Sequence, residues 1–161
     1  MKKRDFDIAF RGLALGQHEF QYDLDDTFFT LFEYSDYRGL RGTTELKMLK
    51  SETVLDLELH FAGSIEVPCD ITNEMYTQAL KNSFVMQIKF GDEYNDENEE
   101  LLILPHGNYQ FNAAQMLYEL VVLSIPSKLL GPNASNGLED LIEEEEDEKE
   151  EKTDPRWDQL K

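Results

Sequence analysis

The chain of 161 residues is strongly acidic: it carries 34 acidic and 15 basic side chains, for a formal net charge of −19. Its length suits one domain with a sizeable hydrophobic core. The charge argues against tight binding to naked nucleic acid, because an acidic surface repels phosphate groups. A single cysteine excludes an internal disulfide and indicates a reducing, cytoplasmic setting. No apolar run is long enough to span a bilayer, and the basic start, Met-Lys-Lys-Arg, lacks the apolar segment of a signal peptide or membrane anchor.

Alternating apolar and polar residues predict several strands in the first part of the chain. Four elements are expected in chain order: a strand at 6–10, a strand at 19–24, a helix near 26–34 and a strand at 43–50. The first two strands flank a glycine-bounded connection, so we expect them to pair as a hairpin. Asp26 is expected to cap the helix, and Ser51 with Glu52 to form the turn into the next strand.

The stretch from Thr53 to Asp70, TVLDLELHFAGSIEVPCD, lies at the centre of the predicted sheet. Its first half alternates apolar and polar residues up to Phe61, which is the period of a strand with one dry face. Ala62 and Gly63 interrupt the pattern before a second alternating run reaches Cys69. The sequence therefore predicts a hairpin or a bulged ribbon here.

The second half of the chain combines further strands with one strong helix and an acidic end. The expected elements are a strand at 84–90, an acidic loop at 92–100, a short inner strand at 101–104 and a helix at 112–124 that Asn112 caps and Pro126 stops. Residues 137–161 hold twelve acids and four bases. We expect residues 139–152 to be disordered or to form a frayed helix, because charge repulsion there meets almost no apolar burial.

Together these elements predict an α+β fold in which a mostly antiparallel sheet, between residues 4 and 104, is covered on one face by two helices. The predicted domain spans residues 1–136, followed by an acidic tail at 137–161.

The motifs of common catalytic classes are absent from the sequence. Neither of the glycine-rich phosphate-binding motifs occurs, and the three histidines are scattered. Cys69 and His60 fall on opposite faces of an alternating strand, which favours a buried structural thiol over a nucleophile. The acidic loop lacks the turn glycine of a calcium-binding EF-hand. No catalytic, cofactor-binding or metal-ligating residue is therefore predicted.

Four segments resemble the YceD family, bacterial proteins linked to accumulation of the large ribosomal RNA. The segments are DTFFTLF at 26–32, GSIEVPCD at 63–70, FNAAQMLYELVVLSIP at 111–126 and TDPRWDQLK at 153–161. The positions that match the family motifs are Gly63, Pro68, Cys69, Asp70 and Pro126. Relatives carry a second cysteine three residues after the first, as in a thiolate zinc site, but Thr72 stands at that position. A closed zinc site is therefore not expected.

The resemblance implies a noncatalytic accessory protein of ribosome assembly, whereas a small acidic ligand-binding or hydrolase-like domain is the alternative. A third possibility is mimicry of nucleic acid by the acidic face. The charge favours a basic ribosomal protein or a large-subunit assembly intermediate as partner over naked RNA. We expect Asp154, Pro155, Arg156 and Trp157 to anchor that partner, unless Trp157 packs back onto its own domain.

Overall fold

The computed structural model describes residues 1–134, and its elements confirm the α+β class. After a 3₁₀ turn at Lys3–Phe6, the elements are β1 (Asp7–Ile8), β2 (Gly16–Asp25), α1 (Asp26–Thr30), β3 (Arg38–Lys50), β4 (Val54–Pro68), β5 (Met75–Gly91), β6 (Asn95–Asn98), β7 (Leu101–Pro105), β8 (Phe111–Asn112) and α2 (Ala114–Leu123).

Six of the strands form one mostly antiparallel sheet, as predicted, in the order β2-β3-β4-β5-β7-β6. The pairs β2–β3, β3–β4 and β6–β7 are antiparallel, whereas β5 and β7 run parallel. Strands β3 and β4 are joined by a tight turn in which the Ser51 hydroxyl donates to the carbonyl of Val54, at 2.8 Å. The predicted turn at this point is therefore confirmed.

The expected hairpin between the first two strands is wrong, because β1 pairs with β8 instead. Ile8 lies opposite Phe111, and Asp7 lies opposite Asn112. The loop after β1 is hydrogen-bonded to β3: the Lys50 ammonium donates to the carbonyls of Phe10 and Leu13 at 2.7 and 2.6 Å. These contacts join residues far apart in the sequence, so local periodicity could not reveal them.

The helix predicted near residues 26–34 is shorter, and its cap lies one residue earlier than expected. Asp25 is the N-cap and accepts a hydrogen bond from the Thr27 N–H. The carboxylate of Asp26 instead accepts from the N–H of Leu40 at 2.9 Å, which links α1 to β3. The second helix begins at Ala114, whose N–H donates to the Asn112 side chain.

The central stretch is one continuous strand, β4, and not the predicted hairpin or ribbon. Its inward side chains Leu55, Leu57, Leu59, Phe61 and Ile65 are each at most 1% exposed. The strand passes Gly63 without turning, and Gly63 pairs with Gly42 of β3. The only register shift between β3 and β4 lies on β3, between Arg38 and Arg41.

The acidic segment at 92–100 is not all loop, because it contains β6. The prediction was wrong since a strand at a sheet edge needs backbone pairing but no apolar burial. Asn95 pairs with Ile103 and Asn98 with Leu101, while all four residues of β6 remain exposed.

The chain divides into two compact units. One comprises Met1–Glu66 and Thr77–Ser127, and contains both helices. The other comprises Val67–Tyr76 and, within the described part of the chain, residues 128–134. Within residues 1–134, no helix is long and apolar enough to cross a membrane. The predicted tail at 137–161, its disorder included, lies outside the described residues.

Candidate functional site

Gly63, the first of the family-motif positions, lies opposite Gly42 of β3. A Cβ atom at Gly63 would lie 2.5 Å from the carbonyl oxygen of Arg41 and 2.8 Å from the Phe61 ring. A Cβ atom at Gly42, its partner across the ladder, would meet the same ring at 2.5 Å. Phe61 therefore fills the space that two side chains would otherwise occupy, and Gly63 has a packing role.

Cys69 lies in a tight turn just after β4, in the second unit, and is 2% exposed. Its N–H donates to the Glu74 carbonyl at 2.8 Å, and its carbonyl accepts from the N–H of Asn73 at 2.9 Å. Hydrogen bonds from the Thr72 hydroxyl, and then from the backbone N–H groups of Thr72, Gly131 and Ile71, lower the pKa of the Cys69 thiol to about 7. The burial expected for this thiol is confirmed, and these donors favour its thiolate form.

Asp70 ties the same turn to the segment that begins at Lys128. Its N–H donates to the Leu129 carbonyl at 2.7 Å, and its carboxylate accepts from the Leu129 N–H, also at 2.7 Å. Asn133 adds a hydrogen bond to the Glu74 carboxylate at 3.0 Å. The Cys69–Asp70 part of the motif thus organises the second unit through hydrogen bonds.

The remaining predicted positions contribute less to this geometry. Pro68 is the last residue of β4, and Pro126 follows α2 in the first unit. Asp154, Pro155, Arg156 and Trp157 lie outside the described residues, so their role in binding a partner stays a prediction.

Sequence reasoning missed a cluster of half-buried rings on the first unit, which we call the aromatic surface: Phe32, Tyr34, Tyr37 and Tyr118. Phe32 stacks on Tyr118, with ring centroids 4.3 Å apart and planes at 15°. Tyr34 meets Tyr118 edge-on at 6.0 Å and lies 6.3 Å from Tyr37. The density of aromatic residues between Phe28 and Tyr37 was the available signal in the sequence.

The aromatic surface is anchored to the interior through Phe28 and Phe29, which are 0% and 2% exposed. Phe28 contacts Phe32 edge-on at 5.4 Å, and Phe29 contacts Tyr34 at 4.6 Å. Burial, and then the neighbouring Asp36, raise the pKa of Tyr34 to about 12. The Tyr34 phenol is therefore neutral at physiological pH.

The described titratable groups with shifted pKa values do not assemble into a catalytic constellation. Tyr22 and Asp25 both line a hollow of about 540 Å³. The hydrogen bond from the Thr27 hydroxyl is the main cause of the lowered pKa of Asp25, so capping of α1 accounts for it. The Glu58 carboxylate lies 2.7 Å from His60, in an exposed pair. Within residues 1–134, no three His, Cys, Asp or Glu side chains are grouped to hold a metal ion.

Comparison with known proteins gives one informative match. No curated protein and no solved structure matches this chain significantly. A family model described as "Large ribosomal RNA subunit accumulation protein YceD" matches residues 57–161, which is more than half of the chain and includes the Gly63–Asp70 segment. The chain therefore belongs to the YceD family.

Proposed function

We propose that this protein promotes accumulation of large-subunit ribosomal RNA as a noncatalytic accessory factor in the cytoplasm. Membership of the YceD family carries this proposal, since the family description names the large ribosomal RNA. The protein does so by binding a basic ribosomal protein or an assembly intermediate of the large subunit.

The charge of the chain supports a protein partner over naked RNA. The formal net charge of −19 attracts cationic surfaces and repels phosphate. Newly made ribosomal proteins are basic, so an acidic factor is electrostatically matched to them before they reach the RNA. The acidic body and tail supply long-range attraction, while Asp154, Pro155, Arg156 and Trp157 supply an anchor.

The alternative, a ligand-binding or hydrolase-like domain, would need several groups with shifted pKa values converging on one hollow. Tyr22 and Asp25 share one hollow, but burial is the main cause of the raised pKa of Tyr22 and the Thr27 hydroxyl of the lowered pKa of Asp25. Burial is also the main cause of the raised pKa of Tyr76, to which Cys69 adds. No specific observation favours that class.

The test is deletion of the gene in its host, followed by measurement of large-subunit relative to small-subunit ribosomal RNA. We expect the large-subunit RNA to fall and to recover when the protein is supplied on a plasmid. An unchanged RNA ratio under both rich and limiting growth conditions would contradict the proposal.

Affinity purification at low salt then identifies the partner. We expect basic large-subunit proteins to be enriched, to dissociate as ionic strength rises, and to bind the 1–136 truncation less well. A Trp157→Ala variant should reproduce part of that loss. If the affinity for bare ribosomal RNA equals the affinity for the tightest-binding protein, the partner is not a protein.

A further inference from the structure

Phe32, in the aromatic surface, has a cation over its ring in the free chain. Tyr118 stacks against one face of the Phe32 ring. The Lys3 ammonium lies over the other face, 5.0 Å from the ring centroid. An ammonium within about 6 Å of a ring centroid is attracted by the electron-rich face of the ring. The outer face of Phe32 is thus a position that accepts positive charge.

Lys3 holds that position weakly. It lies in an exposed turn, and among residues 1–134 the structure gives its ammonium no ion pair. A cation–π contact at an exposed site contributes only about 0.5–1 kcal/mol. A second cation with better geometry can therefore replace Lys3 without breaking an ion pair within residues 1–134.

The surroundings of the aromatic surface favour cations as well. Glu33 and Asp36 are exposed next to the rings in the sequence, as is Arg38, and Asp36 acts electrostatically on Tyr34. Half-buried tyrosine and phenylalanine side chains are typical of interface centres, where a polar rim surrounds aromatic anchors. Rings with Asp36 close to Tyr34, on a chain of net charge −19, are complementary to a basic segment that can stack.

We propose that the aromatic surface is the docking site for an arginine-rich segment of the basic partner, and that Lys3 occupies this site until the partner displaces it. Arginine fits better than lysine, because its planar guanidinium stacks on rings and is more weakly hydrated than an ammonium. This inference rests on the proposed function only in taking the partner to be basic.

The direct test titrates the full-length protein with an acetylated (Arg-Gly)₃ peptide, with the lysine and glutamine counterparts as comparisons. In the free protein, the Lys3 side-chain protons next to the ammonium lie over Phe32 and should resonate upfield in NMR spectra. We expect the arginine peptide to shift the Phe32 and Tyr118 ring signals and to return the Lys3 signals to ordinary positions. The lysine peptide should bind more weakly, and the glutamine peptide should not bind.

Matched variants separate the ring contact from general charge attraction. Phe32→Leu should weaken the arginine peptide about two- to fivefold, the equivalent of one exposed cation–π contact. Tyr109→Leu, which removes an exposed tyrosine (58%) outside the aromatic surface, should leave affinity unchanged. Lys3→Ala should strengthen binding about twofold more than Lys81→Ala, which changes the charge equally at an exposed position on β5.

Thermal unfolding checks that each variant folds. Tyr37→Ala is a second variant, because among residues 1–134 the Tyr37 ring contacts one other ring, that of Tyr34 at 6.3 Å. The inference is overturned if Phe32→Leu and Tyr37→Ala bind the arginine peptide as the wild type does. It is equally overturned if the peptide leaves the Lys3 signals in place, or binds nowhere at low salt.

The same variants distinguish this inference from the proposed function. If Phe32→Leu still purifies large-subunit proteins as well as the wild type does, the docking site is wrong and the proposed function stands. If the wild-type protein binds the arginine peptide, but deletion of its gene leaves the ratio of large- to small-subunit ribosomal RNA unchanged, the proposed function is wrong and the docking site stands.

Discussion

Gly63 and Cys69 lie six residues apart in one family motif, yet opposite kinds of interaction determine their surroundings. Around Gly63 the contacts are steric: the Phe61 ring and the β3 backbone leave no room for a Cβ atom. Around Cys69 they are polar, because the thiol, the Asp70 carboxylate and several N–H groups are joined by hydrogen bonds. The first region should respond to changes of volume and the second to changes of donors, acceptors and pH.

The largest effect should come from adding volume in the first region. We expect Gly63→Ala to lower the free energy of unfolding by about 3 kcal/mol, since the added Cβ would lie 2.5 Å from the Arg41 carbonyl oxygen and one strand must move. Urea unfolding monitored by circular dichroism measures the change. Gly12→Ala is the control, because a Cβ atom there meets nothing within 4 Å. If Gly63→Ala and Gly12→Ala were equally stable, the claim that steric contacts dominate around Gly63 would be wrong.

Next in size is the loss of an acceptor in the second region. Asp70→Ala leaves the N–H of Leu129, a residue only 4% exposed, without its partner, so we expect a loss of about 2 kcal/mol. Asp70→Asn keeps an oxygen acceptor of the same shape and should lose clearly less. Chemical unfolding of both variants tests this, and equal losses would show that the negative charge matters more than the hydrogen bond.

A smaller effect of opposite sign is expected at Thr44, which faces Phe61 across the ladder. Its hydroxyl is fully buried and has no hydrogen-bond partner within the described part of the chain. Replacement by the isosteric valine should therefore stabilise the fold by about 1 kcal/mol. Thr43→Val is the matched control. The Thr43 hydroxyl donates to Asp23 at 3.1 Å, so its removal should destabilise the fold. A destabilised Thr44→Val variant would mean that the region depends on polar contacts after all.

The last effect appears only in a window of pH. Since the folded state holds the Cys69 thiol at a pKa of about 7, below its value near 9 in an unfolded chain, the thiolate favours folding. This contribution is fully present above the unfolded value and is lost as the pH falls through about 7. The stability difference between wild type and Cys69→Ala should therefore grow from pH 6 to pH 9. Thr72→Val, which removes the hydroxyl donor, should flatten that dependence, whereas a pH-independent difference would contradict the hydrogen-bonded thiolate.

Local periodicity predicted what depends on neighbours in the sequence. The two-residue period of β4 identified Leu55, Leu57 and Leu59 as buried, because alternation fixes which face each side chain takes. It could not predict the pairing of β1 with β8, or the hydrogen bond that Gly131 contributes to the Cys69 thiol, since these join distant segments.

The candidate site was predictable only in part, for the same reason. Resemblance to the family selected Gly63 and Cys69, but their roles depend on Gly42, Phe61 and Thr72 in three dimensions. The aromatic surface was missed because its central stack joins Phe32 with a ring from α2, far along the chain.

The acidic strand β6 affects the tendency of the protein to aggregate. It forms an end of the six-stranded order, where unpaired backbone groups invite strands of other molecules to add on. Its four exposed residues include Asp96 and Glu97, within a segment, 92–100, that is rich in acids. A second copy approaching this edge would bring a like-charged strand against it. The acids therefore act as an electrostatic guard against edge-to-edge aggregation of the protein with itself.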